Sequence, residues 1–447
     1  MKKVITYGTY DLLHYGHIRL LERAKELGDY LIVGITSDDF DKHRGKINVQ
    51  QSLMERIQAV KDTGLADEIV IEEYEGQKID DIIKYGVDIF TVGSDWVGYF
   101  DYLKDYCEVV YLPRTEGVSS SSIRTKNSQI KLGIIGPIES IKKIYTECNY
   151  VNGIEVAGIC TKDKKRESDY IEKNVFITDD LNKLLNKVDA VFIMNHPNDH
   201  YECIKEALSK EKHVICETPI ALKSKQFDEL YKLADKKKCI LTGGLKTAYS
   251  TAYSRLLLLL KCGIIGNIVS IDSTCTSLKK LEDYDSHDFA TNWNSLCSWG
   301  PSGLLPIFQI LGVNYKSKQI ISKFIDKKQR FDMFTKIDFV YNNAVASMKV
   351  GKGVKSEGEL IISGTKGYIY VPSPWWKTDY FEVRYENPEK NQRYFYQLDG
   401  EGIRYELVEF IKSIKQNKNS HAISKEVSKA IVTIIEDFYN GNFIEIS

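Results

Sequence analysis

The sequence predicts an α/β protein: two parallel, doubly wound sheets in succession, then an α+β region whose open sheet is mostly antiparallel. Three observations carry this. Over residues 3–124 short apolar runs alternate with helical patterns, the signature of a parallel sheet with helical crossovers. After a polar stretch at 125–129 the same alternation restarts at 130. Past Leu245 the runs lengthen and lose their intervening helices, as in an antiparallel sheet. The predicted domains are 1–128, 129–245 and 246–447.

In the first region the runs at 4–7, 30–35, 69–71, 89–92 and 109–112 read as strands. Residues 16–27 read as a helix, because Ile18, Leu21, Ala24 and Leu27 recur at roughly helical spacing and Gly28 follows as a stop. In the second region strands are expected at 130–135, 155–159, 190–194, 213–216 and 239–242, with helices such as 201–210 between them. In the third, 336–340, 344–350, 359–363 and 367–371 read as strands, closed by a final helix at 401–416.

A chain of 447 residues exceeds what one hydrophobic core organises, which agrees with several domains. A net charge of −1 gives no general pull toward nucleic acid, so that partner is not expected. The 9 cysteines are odd in number and lack paired short spacings, which reads as buried thiols in a reducing compartment. Residues 1–7 run straight into a strand-like segment, and the apolar run 256–260 is too short to span a bilayer. The expected location is the cytoplasm, without membrane insertion.

Chemistry concentrates after the first strand, in Gly8-Thr9-Tyr10-Asp11-Leu12-Leu13-His14-Tyr15-Gly16-His17. Two imidazoles at the mouth of a sheet, beside a helix start, suit phosphate oxygens. Gly16 admits close backbone approach and the helix dipole favours the anion. Transfer of a nucleotidyl group onto an existing phosphate needs in-line positioning and charge stabilisation, not a protein nucleophile. A second anion clamp is expected at Pro113-Arg114-Thr115-Glu116-Gly117-Val118 and the serines 119–122, where Arg114 offers a guanidinium fork and the hydroxyls can cap a helix.

These two clusters, with Gly28-Asp29-Tyr30, Gly93-Ser94-Asp95-Trp96 and Phe100-Asp101-Tyr102-Leu103, resemble the glycerol-3-phosphate cytidylyltransferase family over residues 1–123. The resemblance implies a Rossmann-like nucleotidyltransferase sheet that uses CTP with Mg²⁺ and a small alcohol phosphate. It implies catalytic roles for His14, His17 and Arg114, and substrate contacts from Thr9, Tyr10, Asp11, Gly16, Asp38, Lys46, Arg56, Asp95, Thr115, Ser119 and Ser120. A homodimer and a product destined for a teichoic-acid-like envelope polymer are further implications. Thr63–Glu68 lacks an arginine that the family carries, and Tyr74-Glu75-Gly76 stands where those enzymes carry a tryptophan. The acceptor is therefore glycerol 3-phosphate or a related polyol phosphate. Adenylyl transfer stays open as the alternative, because the two histidines handle phosphates and do not read the base.

From residue 130 the chain resembles the Gfo/Idh/MocA oxidoreductases, through Leu132-Gly133-Ile134-Ile135-Gly136, Val188-Asp189-Ala190-Val191, Pro197-Asn198-Asp199-His200 and Glu217-Thr218-Pro219. That likeness implies a dinucleotide site at Gly133, Gly136, Thr161, Lys162, Pro197, His200 and Glu217. Thr161 and Lys162 lean toward NADP, while Asp163 keeps NAD open. Yet Pro137-Ile138-Glu139-Ser140 lacks the later glycines of a phosphate loop. Thr218 replaces the family's acid lysine, and residues 303–309 hold neither the aspartate nor the histidine of its catalytic helix. A degenerate domain is expected. An active NAD(P)-dependent reductase that makes the alcohol phosphate is the alternative, and Lys246, Tyr249 and Tyr253 are the residues that could rebuild an acid.

Overall fold

Val4, Ile5, Thr6 and Tyr7 are all buried, so strand β1 (Lys3–Gly8) is covered on both faces and reads as an uninterrupted run. The computed structural model describes residues 1–447 except 38–39, 42–48, 50, 75, 114–128, 152, 164–170, 172–174, 280–292, 397, 419–421 and 447. The chain divides into two compact units, Met1–Ser128 and Gln129–Ser447.

In the first unit β1 is followed by α1 (Tyr15–Glu26), β2 (Tyr30–Thr36), α2 (Leu53–Asp62), β3 (Glu68–Glu72), α3 (Gln77–Tyr85), β4 (Ile89–Gly93) and β5 (Glu108–Leu112). The sheet order is β3-β2-β1-β4-β5 and every pairing is parallel. Strand order reverses between β1 and β4, which opens a crevice at their carboxyl ends. Leu21 and Ala24 of α1 and Ile57 and Val60 of α2 fill one face of the sheet, while Ile82 and Leu103 pack on the other. The helix stop at Gly28 has a different cause from the expected one. Leu27 closes α1 in a right-handed conformation, and Gly28 is required because a Cβ there would lie 2.6 Å from the Lys2 carbonyl oxygen.

The second unit begins with β6 (Ile130–Ile135), α4 (Ile138–Cys148), β7 (Ile154–Cys160), β8 (Phe176–Thr178), α5 (Leu181–Leu185), β9 (Ala190–Ile193), α6 (Pro197–Ser209), β10 (His213–Glu217), α7 (Ser224–Lys237) and β11 (Leu241–Gly244). Its parallel sheet runs β11-β10-β9-β6-β7-β8. β11 starts two residues later than the sequence reading, where pairing with β10 begins at Val214 and Leu241. The 3-residue β8 is too short to stand out as an apolar run.

Then come α8 (Thr251–Lys261), β12 (Ile268–Leu278), α9 (Ser295–Leu311), β13 (Ser317–Asp326), β14 (Phe331–Val340), β15 (Val345–Gly351), β16 (Gly353–Val354), β17 (Leu360–Gly364), β18 (Tyr368–Val371), β19 (Tyr380–Arg384), β20 (Gln392–Phe395), α10 (Ile403–Gln416), α11 (Lys425–Tyr439) and β21 (Ile444–Glu445). Their sheet is mixed and mostly antiparallel, with β12 parallel to β15 and β13 parallel to β21. The unit does not close on the helix at 403–416, as the sequence reading expected. α11 follows it and buries Val427, Ile431, Ile434, Ile435 and Phe438, an i, i+4, i+7 stripe, against the mixed sheet. Among the described residues no helix is long and apolar enough to cross a membrane.

Candidate functional site

The crevice of the first unit is approached through a strained turn. After Gly8 the chain passes Tyr10 (φ 52°) and Leu12 (φ 48°), left-handed conformations that cost a non-glycine residue roughly 1–2 kcal/mol each. The turn is tied down reciprocally: the Gln51 side-chain carbonyl accepts from the Leu12 N–H at 2.7 Å, and the Asp11 carboxylate accepts from the Gln51 N–H at 2.9 Å. Tyr10 is buried, and a Cβ on Gly8 would lie 2.9 Å from its ring.

This turn delivers His14 to the N-cap of α1, where its Nδ1 accepts from the Gly16 N–H at 3.1 Å. A neutral imidazole that accepts at Nδ1 carries its proton on Nε2, so the cap fixes the tautomer as well as the ring. One turn on, His17 stacks against it with ring centroids 3.8 Å apart and planes at 19°. The Tyr10 ring meets His17 edge-on at 5.5 Å. Two imidazoles thus share the amino-terminal end of α1, at the end of β1 where the strand order reverses.

Arg56, expected as a phosphate contact, is turned inward. Its guanidinium is fully buried and donates to the carbonyls of Thr9 (2.8 Å), Thr36 (2.8 Å) and Gln51 (3.2 Å), with the Asp41 carboxylate at 3.4 Å. Asp41 also accepts from the hydroxyls of Thr9 (3.0 Å) and Thr36 (2.7 Å). This buried knot pins the turn after β1 to the end of β2. Sequence reasoning missed Asp41, because nothing in the spacing of residues 9, 36, 41 and 56 announces that they meet.

A second buried polar group was also missed. The Tyr7 hydroxyl donates to Asp81 at 2.7 Å, the Gln77 amide donates to Asp81 at 3.1 Å, and Lys78 pairs with Glu72 while lying 4.7 Å from the Tyr7 ring centroid. Burial, reinforced by Asp81, pushes the Tyr7 phenol far above its ordinary pKa. Asp95 is exposed on the short turn Ser94–Trp96 that follows β4. Asp38, Lys46, Arg114, Thr115, Ser119 and Ser120 lie outside the described residues. Among those described, no group of three or more His, Cys, Asp or Glu side chains is placed to hold a metal ion.

In the second unit the expected dinucleotide residues make other contacts. Gly133 is required for packing, since a Cβ there would lie 2.9 Å from Leu184. At the amino terminus of α4, after Gly136, the Ile138 N–H donates to the Asp163 carboxylate at 2.7 Å. The Thr161 hydroxyl accepts from the Asp163 N–H at 3.2 Å, and Lys162 is exposed. Pro197 opens α6, and His200 is fully buried with Nδ1 and Nε2 each 2.8 Å from a carbonyl, of Pro219 and Asn195. Burial lowers its pKa.

A Cβ on Gly243 would lie 2.8 Å from the Thr218 methyl, so the residue standing for the lysine is packed on β11. Tyr249 is bonded to Thr242 at 3.2 Å, and Tyr253 donates to Gln309 at 2.9 Å. Burial pushes the Glu217 carboxyl up to about 7 against the pull of Lys246 and Lys143.

Residues 5–126 match the family model "Cytidylyltransferase-like", and residues 130–245 match "Oxidoreductase family, NAD-binding Rossmann fold". The glycerol-3-phosphate cytidylyltransferases of Bacillus subtilis and Staphylococcus aureus are 53% and 51% identical over 124 and 126 residues, 28% of this chain in each case and 95% and 93% of those proteins. The chain belongs to the glycerol-3-phosphate cytidylyltransferase family. That membership lies in its first unit, which makes the protein a nucleotidyltransferase. The second unit is of the Gfo/Idh/MocA oxidoreductase type. Its fold is shared with KijD10, a 3-ketoreductase from Actinomadura kijaniata solved with NADP and TDP-benzene (TM-score 0.63, 15% identity, 71% of this chain and all of that one). It is shared too with UDP-N-acetylglucosamine 3-dehydrogenase GnnA from Acidithiobacillus ferrooxidans (TM-score 0.57, 14% identity, 69% of this chain and 96% of that one). At these identities the likeness is one of fold.

Proposed function

We propose that the first unit transfers CMP from CTP, bound as its Mg²⁺ complex, to glycerol 3-phosphate or a closely related polyol phosphate. The observation that carries this reading is the stacked His14 and His17 pair on the amino terminus of α1, beside the strand-order reversal. An oxygen of the acceptor phosphate attacks the α-phosphorus of CTP, a new P–O bond forms, the α–β bridge breaks and pyrophosphate leaves. The two imidazoles donate to oxygens whose negative charge grows at the pentavalent phosphorus, and the helix dipole acts in the same direction. The strained turn and the Arg56–Asp41 knot hold both rings in place, so Arg56 is a positioning residue. Arg114, Thr115, Ser119, Lys46 and Asp38 complete the nucleotide site by family resemblance. The relatives' names support cytidylyl over adenylyl transfer and glycerol 3-phosphate as acceptor. Pyrophosphate release from CTP or ATP across a panel of polyol phosphates tests both at once, and a preference for ATP would overturn the reading.

We infer that the second unit works without a dinucleotide. The residues present do not fit one. At the helix start where a Rossmann fold receives a pyrophosphate, the Ile138 N–H is already engaged by the Asp163 carboxylate, and a dinucleotide would bring two further negative charges against it. Thr218 carries no acid proton suited to carbonyl reduction. Calorimetric titration with NADPH and NADH tests this, and saturable binding of either would restore the reductase reading.

A further inference from the structure

Three lysines from separate elements converge on one carboxylate in the second unit. Lys246, just past the end of β11, donates to Glu401 at 2.8 Å. Lys377, on the short turn Trp375–Lys377, donates to its other oxygen at 3.2 Å. Lys143 of α4 reaches it at 3.4 Å. Among the described residues these three ammonium groups share a single ion-pair partner, an excess of two positive charges over that carboxylate. The side chains of Lys246, Lys377 and Glu401 are 29%, 37% and 37% exposed, so a solute can reach the cluster.

The chain accepts backbone strain to place Glu401 there. Gly400, Glu401 and Gly402 have φ of 57°, 53° and 91°, and Glu401 alone of the three has a Cβ. A Cβ on Gly400 would lie 1.8 Å from Glu147 of α4, and Glu147 is itself clamped by Arg404 at 2.8 Å. The turn is thereby held against α4 with the Glu401 carboxylate aimed into the lysines.

Beside them, Glu406 is only 4% exposed and its Oε2 has no hydrogen-bond partner among the described residues. Burial raises the Glu406 carboxyl to about 8 and Glu217 to about 7, each drawn back by Lys246. Carboxyls that keep a proton near neutrality can both donate to and accept from hydroxyl groups.

We propose that Lys143, Lys246 and Lys377 form a binding site for the phosphate group of a small polyhydroxylated phosphate monoester, with Glu401 as its internal stand-in and with Glu217 and Glu406 meeting the ligand's hydroxyls. A phosphate dianion offsets two of the three positive charges, one more than a single carboxylate does, and it offers an oxygen to each ammonium. Entry requires only that the Glu401 side chain swing out, since the turn that carries it is fixed by other contacts. This site uses no dinucleotide and is built from residues of the second unit alone.

Calorimetric titration of the full-length protein, without CTP, with glycerol 3-phosphate and separately with inorganic phosphate tests the proposal. Glu401→Gln, which removes the competing charge and keeps the shape, is expected to tighten one binding event by about tenfold. The double variant Lys246→Met/Lys377→Met is expected to abolish that event while leaving the first unit's cytidylyl transfer rate unchanged, with circular dichroism confirming the fold. Glycerol 3-phosphate is expected to bind this site more tightly than inorganic phosphate. Identical titrations for wild type and both variants would overturn the site, and equal affinity for the two ligands would overturn its selection of hydroxyls. Transfer activity is read separately, so failure here is distinguishable from failure of the cytidylyl-transfer reading.

Discussion

His14 and His17 stand in one stack at the start of α1, 3.8 Å between ring centroids, because an N-cap residue and the residue three positions on share a helix face. The cap hydrogen bond from Gly16 orients the first ring, and the edge of Tyr10 supports the second.

His14→Ala and His17→Ala are each expected to lower kcat for CMP transfer by about 10²–10³-fold, the usual cost of losing one donor to a developing oxyanion. His14→Ala is also expected to cost about 1 kcal/mol of stability through the lost cap, which His17→Ala does not. Pyrophosphate release and thermal melting separate the two effects. A change below tenfold for either ring would remove that ring from the reaction.

Arg56→Met leaves the Asp41 carboxylate buried without its guanidinium, so it is expected to destabilise the first unit by about 3–5 kcal/mol. Asp41→Asn keeps the shape and acceptors of the knot in part and is expected to cost less. The urea midpoint for loss of transfer activity reads both, since the activity belongs to the first unit. An Arg56→Met protein that is as stable as wild type but binds CTP poorly would return Arg56 to the phosphates.

Glu406 makes the second unit less stable as pH rises. Its folded pKa of about 8 lies above the ordinary 4.5, so the folded state holds the proton more tightly. The penalty is absent below about 4.5, grows between 4.5 and 8, and is complete above 8. Glu406→Gln is therefore expected to melt close to wild type at acidic pH and several degrees higher, roughly 5 °C, in alkaline buffer. A difference in melting temperature that does not widen with pH would contradict the buried, proton-holding carboxyl.

Asp163→Ala uncaps α4, and a loss of about 1 kcal/mol is expected. Wild type is expected to show no saturable quenching or energy transfer when titrated with NADPH. If removing the carboxylate is what the helix start needs, the variant will show weak NADPH binding where wild type shows none. Binding that is equally strong in both proteins would mean that Asp163 does not guard the site.

The sequence by itself determined the architecture and the place of the histidine pair. Strands at 4–7, 30–35 and 89–92 are legible because parallel strands covered on both faces leave uninterrupted apolar runs. The two histidines are legible because strand, turn and helix start are contiguous in the chain. Only the tertiary structure decided that Arg56 faces Asp41 and not solvent, and that Asp163 meets Ile138. It alone gathered lysines 143, 246 and 377 around Glu401. Those partners lie 15 to 258 residues apart. Local periodicity records which side of its own element a residue occupies, whereas the neighbour it finds across the fold depends on how whole elements pack.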